Sequence, residues 1–145
     1  MTEHRKASDA YSLRRIRSTP FPNRLLELVI KLPETQARIV CLIVRLTLGW
    51  HSGKTDARRA SVNLTYRQIL TAIGRSSPTI VGAAVERLVI LGIVEVLTDE
   101  GLVLKTPGER RRHFRPLCYR LSRKFVETHR LRSVDKSVDI ENQSE

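Results

Sequence analysis

Between Thr65 and Gly92 the chain sets its helix start and stop signals so close together that only two short helices and one tight turn fit between them. Thr65 followed by Gln68 is a capping box, in which a hydroxyl and a side-chain carbonyl satisfy amides of the first helical turn that have no partner within the helix. Ile69, Leu70 and Ile73 make a narrow apolar stripe, and Gly74 stands where a helix closes on a left-handed residue. Ser77 is then placed as an N-cap and Pro78 as the first residue of a second helix, with Val81, Ala84, Val85 and Leu88 facing inward until Gly92 ends it. Two helices joined this tightly predict a helix-turn-helix. The run "IVEVL", the turn "TDEG" and the run "LVLK" predict a β-hairpin, with "LCYRLS" at 117–122 as a further strand. This order predicts a mainly α domain with a small antiparallel β wing, a winged helix-turn-helix.

The rest of the chain divides around that unit. Residues 1–20 lack sustained periodicity and read as a basic N-terminal arm, 21–122 as the winged domain, and 123–145 as a C-terminal tail that is acidic at its end. From Asn23, Leu25, Leu28, Val29 and Leu32 recur at helical spacing and stop before Pro33. Pro33 and Glu34 suit a helix start, and "TQARIVCLIVRLTLGW", apolar nearly all round, predicts the buried central helix. "HSGKTDARRASVN" has the composition of an exposed loop. With 145 residues, one domain can bury about 70% of its unfolded surface and needs no disulfide staple. Cys41 and Cys118 form no C-x-x-C pair, which fits a reducing cytosol and gives no zinc module. The run Ile39 to Leu48 is broken by Arg45 and is about half a membrane span, so no membrane partner is expected and a cytoplasmic, nucleoid-associated location is.

Charge is segregated along the chain. The formal net charge is +11, with balances of +4 over residues 1–24, +2 over 25–104, +8 over 105–132 and −3 over 133–145. A nearly neutral body with cationic flanks predicts a polyanionic partner, here double-stranded DNA. With one Trp, three Tyr and three Phe, a base-stacking surface for single strands is not expected. No P-loop, nucleophile elbow or H-E-x-x-H pattern occurs, and His4, His51, His113 and His129 are scattered, so no enzyme, metal or cofactor is expected.

The segment "RLTLGWHSGKTDARRASVNLTYRQIL", with Arg45, Thr47, Gly49 and Trp50 in an R-x-T-x-G-W arrangement, and "AIGRSSPTIVGAAVERLVILGIVEV" after it resemble the N-terminal domain of the bacteriophage replication protein O family, the replisome organisers. The resemblance covers roughly residues 20–97. It implies sequence-specific duplex binding at repeated origin sites and recruitment of a helicase loader through a separate region. After residue 132 the chain is acidic and without apolar periodicity, so that recruiting region is not expected within it.

In a winged helix the second helix of the pair enters the major groove and the wing contacts backbone. Helical phase makes Ser76, Ser77, Thr79, Gly82, Ala83 and Glu86 the outward set, with Arg75 just before, so base reading is assigned to Arg75, Ser76, Ser77, Thr79, Gly82 and Ala83. This face is poor in Arg, Asn and Gln, the bidentate base readers, and Arg87 comes late. Lys105, Arg110, Arg111, Arg112, His113 and Arg115 are assigned to backbone contacts from a basic wing. Arg14, Arg15 and Arg17 are assigned to a minor-groove arm, and Lys54, Arg58, Arg59 and Arg67 to a backbone clamp. Val89 and Ile90 beside the core positions leave an alternative: a homodimer or replication-protein partner held through helix 78–91, in a transcriptional regulator or an interaction domain with no DNA site. Trp50 is expected in the core.

Overall fold

The structure is a computed structural model that describes residues 18–50, 59–113 and 115–128. Two helices open it, α1 (Asn23–Ile30) and α2 (Glu34–Thr47), separated by the break at Pro33. Ile39, Val40, Ile43 and Val44 of α2 are buried and make it the central post against which α1, the later helix pair and the sheet pack. Its end is tightly built. The hydroxyl of Thr47 donates to the Ile43 carbonyl at 2.7 Å, and a Cβ on Gly49 would collide with the Arg45 carbonyl and Thr19 Oγ1.

Strand β1 (Val62–Leu64) leads into α3 (Tyr66–Ile73), α4 (Pro78–Ile90) and β2 (Val94–Leu97). The capping box at Thr65 forms in both directions, with Gln68 N donating to Thr65 Oγ1 at 3.1 Å and Thr65 N donating to Gln68 Oε1 at 2.9 Å. Gly74 closes α3 at φ 71°, a conformation in which any Cβ is strained. Pro78 starts α4 and Val81, Ala84, Val85 and Leu88 are its buried positions. The short helix α5 (Pro107–Arg112), strand β3 (Leu117–Leu121) and α6 (Arg123–Thr128) complete the described chain.

The sheet is antiparallel in the order β1-β3-β2, with Val62 opposite Tyr119 and Val96 opposite the same tyrosine on the other side. The protein is therefore mainly helical with a minor three-stranded antiparallel sheet. Tyr119, on the middle strand, is fully buried and sits in the same core as α2 and α4. Glu95 of β2 ties the sheet to α6: it pairs with Arg120 at 3.0 Å and accepts the Arg123 backbone N–H. Partial burial pushes its carboxyl pKa up, but those hydrogen bonds and the charges of Arg120 and Arg123 outweigh burial and hold it below the ordinary value.

Three sequence expectations are corrected. Residues 62–64 are a strand, not loop, because Val62 and Leu64 turn inward on either side of exposed Asn63 once β3 offers a ladder. The expected hairpin forms only as a short ladder, the bridge Leu97 with Val103 flanked by the Leu104 N–H donating to Val96 at 2.8 Å and the Thr98 N–H donating to Leu102 at 2.9 Å; the main partner of β2 is β3. Residues 107–112, read as part of a basic loop, are helical, since Thr106 caps the Glu109 amide at 3.2 Å and Pro107 fixes the first turn. The body also runs past residue 122: Ser122 Oγ accepts from Phe125 N, and Phe125 and Val126 pack on the core. Among the described residues no helix is long and apolar enough to cross a membrane.

Candidate nucleic-acid interface

The turn between α3 and α4 is fastened to α2 by charge. Arg38 donates to the Ile73 carbonyl at 2.7 Å and pairs with Glu34, whose other oxygen lies 2.9 Å from Arg75. A carbonyl at the end of α3 that has no partner within the helix thus gains a cationic donor, and Glu34 sits between two guanidinium groups. Arg75 is in this way directed at α2, and its ion pair with Glu34 helps hold the turn.

Beyond the turn, α4 has a covered edge and an open face. On the covered edge, the site of a Cβ on half-buried Gly82 lies 3.8 Å from the Tyr66 ring, and Glu86 one turn on is ion-paired with Arg110. Arg110 is 5% exposed and also donates to the Leu104 carbonyl at 3.1 Å. Burial lowers its pKa, while Tyr66 and Tyr119 counter that. Gly82 and Arg110 are therefore corrected: the one is packing surface for Tyr66, the other an internal lock between α4 and α5. Among the described residues the buried Tyr119 hydroxyl has no hydrogen-bond partner, and its pKa is driven upward first by burial and then by Tyr66.

The open face carries Thr79, Ile80, Ala83, Arg87 and Ile90, all exposed, with Ser76 just before and Ser77 half-buried. Ile80 and Ile90 are 48% and 63% exposed. The turn-by-turn phase of α4 gives the buried side correctly. It misses that Tyr66 and Arg110 cover one flank and rotate the accessible face toward Ile80 and Arg87. A lone acid, Glu86, on a helix facing a run of arginines was the available signal.

The elements on the covered edge are also cationic: α3 carries exposed Arg67 beside Tyr66, and α5 carries exposed Arg111 and Arg112 beside Arg110. Among the described residues, Arg67, Arg87, Lys105, Arg111 and Arg112 have no acidic partner, and Arg111 reaches only the Pro107 carbonyl at 3.4 Å. Arg115 is paired with Asp99 at 3.2 Å while 75% exposed, an arrangement that water screens heavily. His113 is half-buried, with a buried Nε2 that has no partner.

Arg59 belongs elsewhere. It stacks over Trp50 at 5.0 Å and, with Arg120 and Arg123, lines a cavity of about 210 Å³ at the end of the sheet where β3 exits, opposite the end that receives α5. Trp50 itself is 40% exposed, so it is a stacking platform for Arg59 and not a core anchor. Arg14, Arg15, Arg17, Lys54 and Arg58 lie outside the described residues, as does His51. No group of three His, Cys, Asp or Glu among the described residues can hold a metal ion. Comparison with protein-family models, with curated proteins and with solved structures found no match to this chain.

Proposed function

We propose that the chain is a double-stranded DNA-binding winged helix-turn-helix protein, with α4 in the major groove and the cationic α5 segment between β2 and β3 on the backbone, acting in replication initiation at phage-type origins. The observation that supports the reading is the open face of α4, with Glu86 at its edge neutralised by Arg110 while the neighbouring helices carry exposed Arg67, Arg111 and Arg112, which have no acidic partner among the described residues. The order helix, strand, helix pair, strand, short helix, strand, with the last strand between the other two, supports a winged helix-turn-helix reading, in which the second helix of the pair would lie across a groove. The replication role rests on the resemblance at Arg45, Thr47, Gly49 and Trp50.

Selection of bound duplexes from a random pool tests this. A recurring motif whose preference changes in Thr79→Ala and Arg87→Ala, together with Arg111→Ala/Arg112→Ala weakening all duplexes alike, is the expected outcome. Motif copies repeated at a replication start fit the initiator; single copies scattered at promoters fit a transcriptional regulator. Absence of duplex binding with self-association through Ile80 and Ile90 would replace DNA by a protein partner.

A further inference from the structure

We infer that the open face of α4 reads its site chiefly through thymine methyl groups, so that the ligand is a duplex whose specificity lies in apolar contacts at the C5 positions of the major groove. The inference rests on the DNA-binding reading above. The side chains that make bidentate base contacts are missing from the first two turns of this face: Arg75 is engaged by Glu34, Glu86 by Arg110, and Gly82 lies under Tyr66. What the first two turns of this face present is the Thr79 methyl, Ile80 and Ala83, with Ser76 just before them and Arg87 and Ile90 further along.

An isoleucine 48% exposed beside a serine and a threonine at a helix start has no packing role to explain its exposure. Each base pair shows a distinct pattern in the major groove, and the methyl of thymine is the one feature there that an apolar side chain recognises. Adenine N6–H₂ and cytosine N4–H₂ would instead lose hydrogen bonds to water against Ile80, so the same surface rejects them. Charge favours DNA over an apolar protein partner, since exposed Arg87 shares the face, the neighbouring helices α3 and α5 carry exposed Arg67, Arg111 and Arg112, and among the described residues none of the four has an acidic partner.

The test uses the full chain and a duplex obtained by selection from a random pool, remade with deoxyuridine for individual thymines. Removing one contacted methyl should weaken binding about fourfold, the value of one buried methyl-sized group. Replacing that uracil pair's base by 5-methylcytosine opposite guanine should restore part of the loss. In Ile80→Ala or Thr79→Ser the thymine-to-uracil difference at one of these positions should fall below about twofold, while the salt dependence stays as in the parent chain. Equal binding of thymine and uracil duplexes by a chain that still prefers its selected site overturns the methyl reading and leaves duplex recognition intact. A methyl effect that survives in both variants also overturns it, because the preference then comes from DNA shape. Failure to select or bind any duplex overturns both.

Discussion

Removing one partner of the Glu86–Arg110 pair leaves the other in a place built for two. Arg110 has 4% of its side chain exposed and Glu86 28%, so the arginine is the partner that cannot recover water. Glu86→Gln should therefore destabilise the fold by about 3 kcal/mol, and Arg110→Met by somewhat less, because the freed carboxylate can still be solvated. The double variant should lie closer to the parent than the sum of the two losses, as read from urea unfolding of the four proteins. Had Arg110 served phosphate contacts, its replacement would cost DNA affinity at unchanged stability; the burial requires the reverse order of effects. Sequence alone cannot separate Arg110 from Arg111 and Arg112, since three adjacent arginines are equivalent until a helix turns one of them inward.

At the scale of elements, Glu95 joins β2, β3 and α6 in one contact set. Its folded pKa is held below the ordinary glutamate value, so the carboxylate contributes stability above about pH 4.5, and that contribution disappears as pH falls through the lowered pKa. Glu95→Gln should be about 1 kcal/mol less stable than the parent at pH 7, with the gap closing in acid, when thermal unfolding is followed between pH 7 and 3. The helix pair was legible in the sequence because its signals are local: a capping box at Thr65, a left-handed residue at Gly74, Pro78 at a helix start. β1 was not, for three residues among polar neighbours carry no periodicity and become a strand only when Leu117–Leu121 lies alongside. The α5 cap was legible in principle, as Thr106, Pro107 and Glu109 repeat the logic of Thr65 and Gln68, but a six-residue helix with three consecutive arginines has no apolar stripe to mark it. The accessible face of α4 was legible in part. Its buried side follows from spacing, whereas its lateral cover by Tyr66 and Arg110 is a tertiary fact.

For the molecule as a whole, the formal charge of +11 predicts binding that depends steeply on salt. If about six to eight phosphates are neutralised, the logarithm of duplex affinity should fall against the logarithm of salt concentration with a slope of about −5 to −7. Fluorescence anisotropy from low to physiological salt measures it. Replacing Arg67, Arg111 and Arg112 by alanine together should make the slope shallower by about three, and Arg59→Ala should leave it unchanged, since that residue stacks on Trp50 at the opposite end of the sheet.

The strand order has a consequence for how the protein is made. Among the described residues β3 is the last strand in chain order and the middle one in the sheet, so β1 and β2 cannot be joined until Leu117–Leu121 has been synthesised. During translation the nascent chain can form its helices early, but Val62, Leu64 and Val94 wait unpaired and Val96 has only the Leu104 amide, so closure is a late, long-range step. Until Leu117–Leu121 is clear of the ribosome the chain is a helical intermediate with open strand edges, and the arrival of that one strand joins both of them.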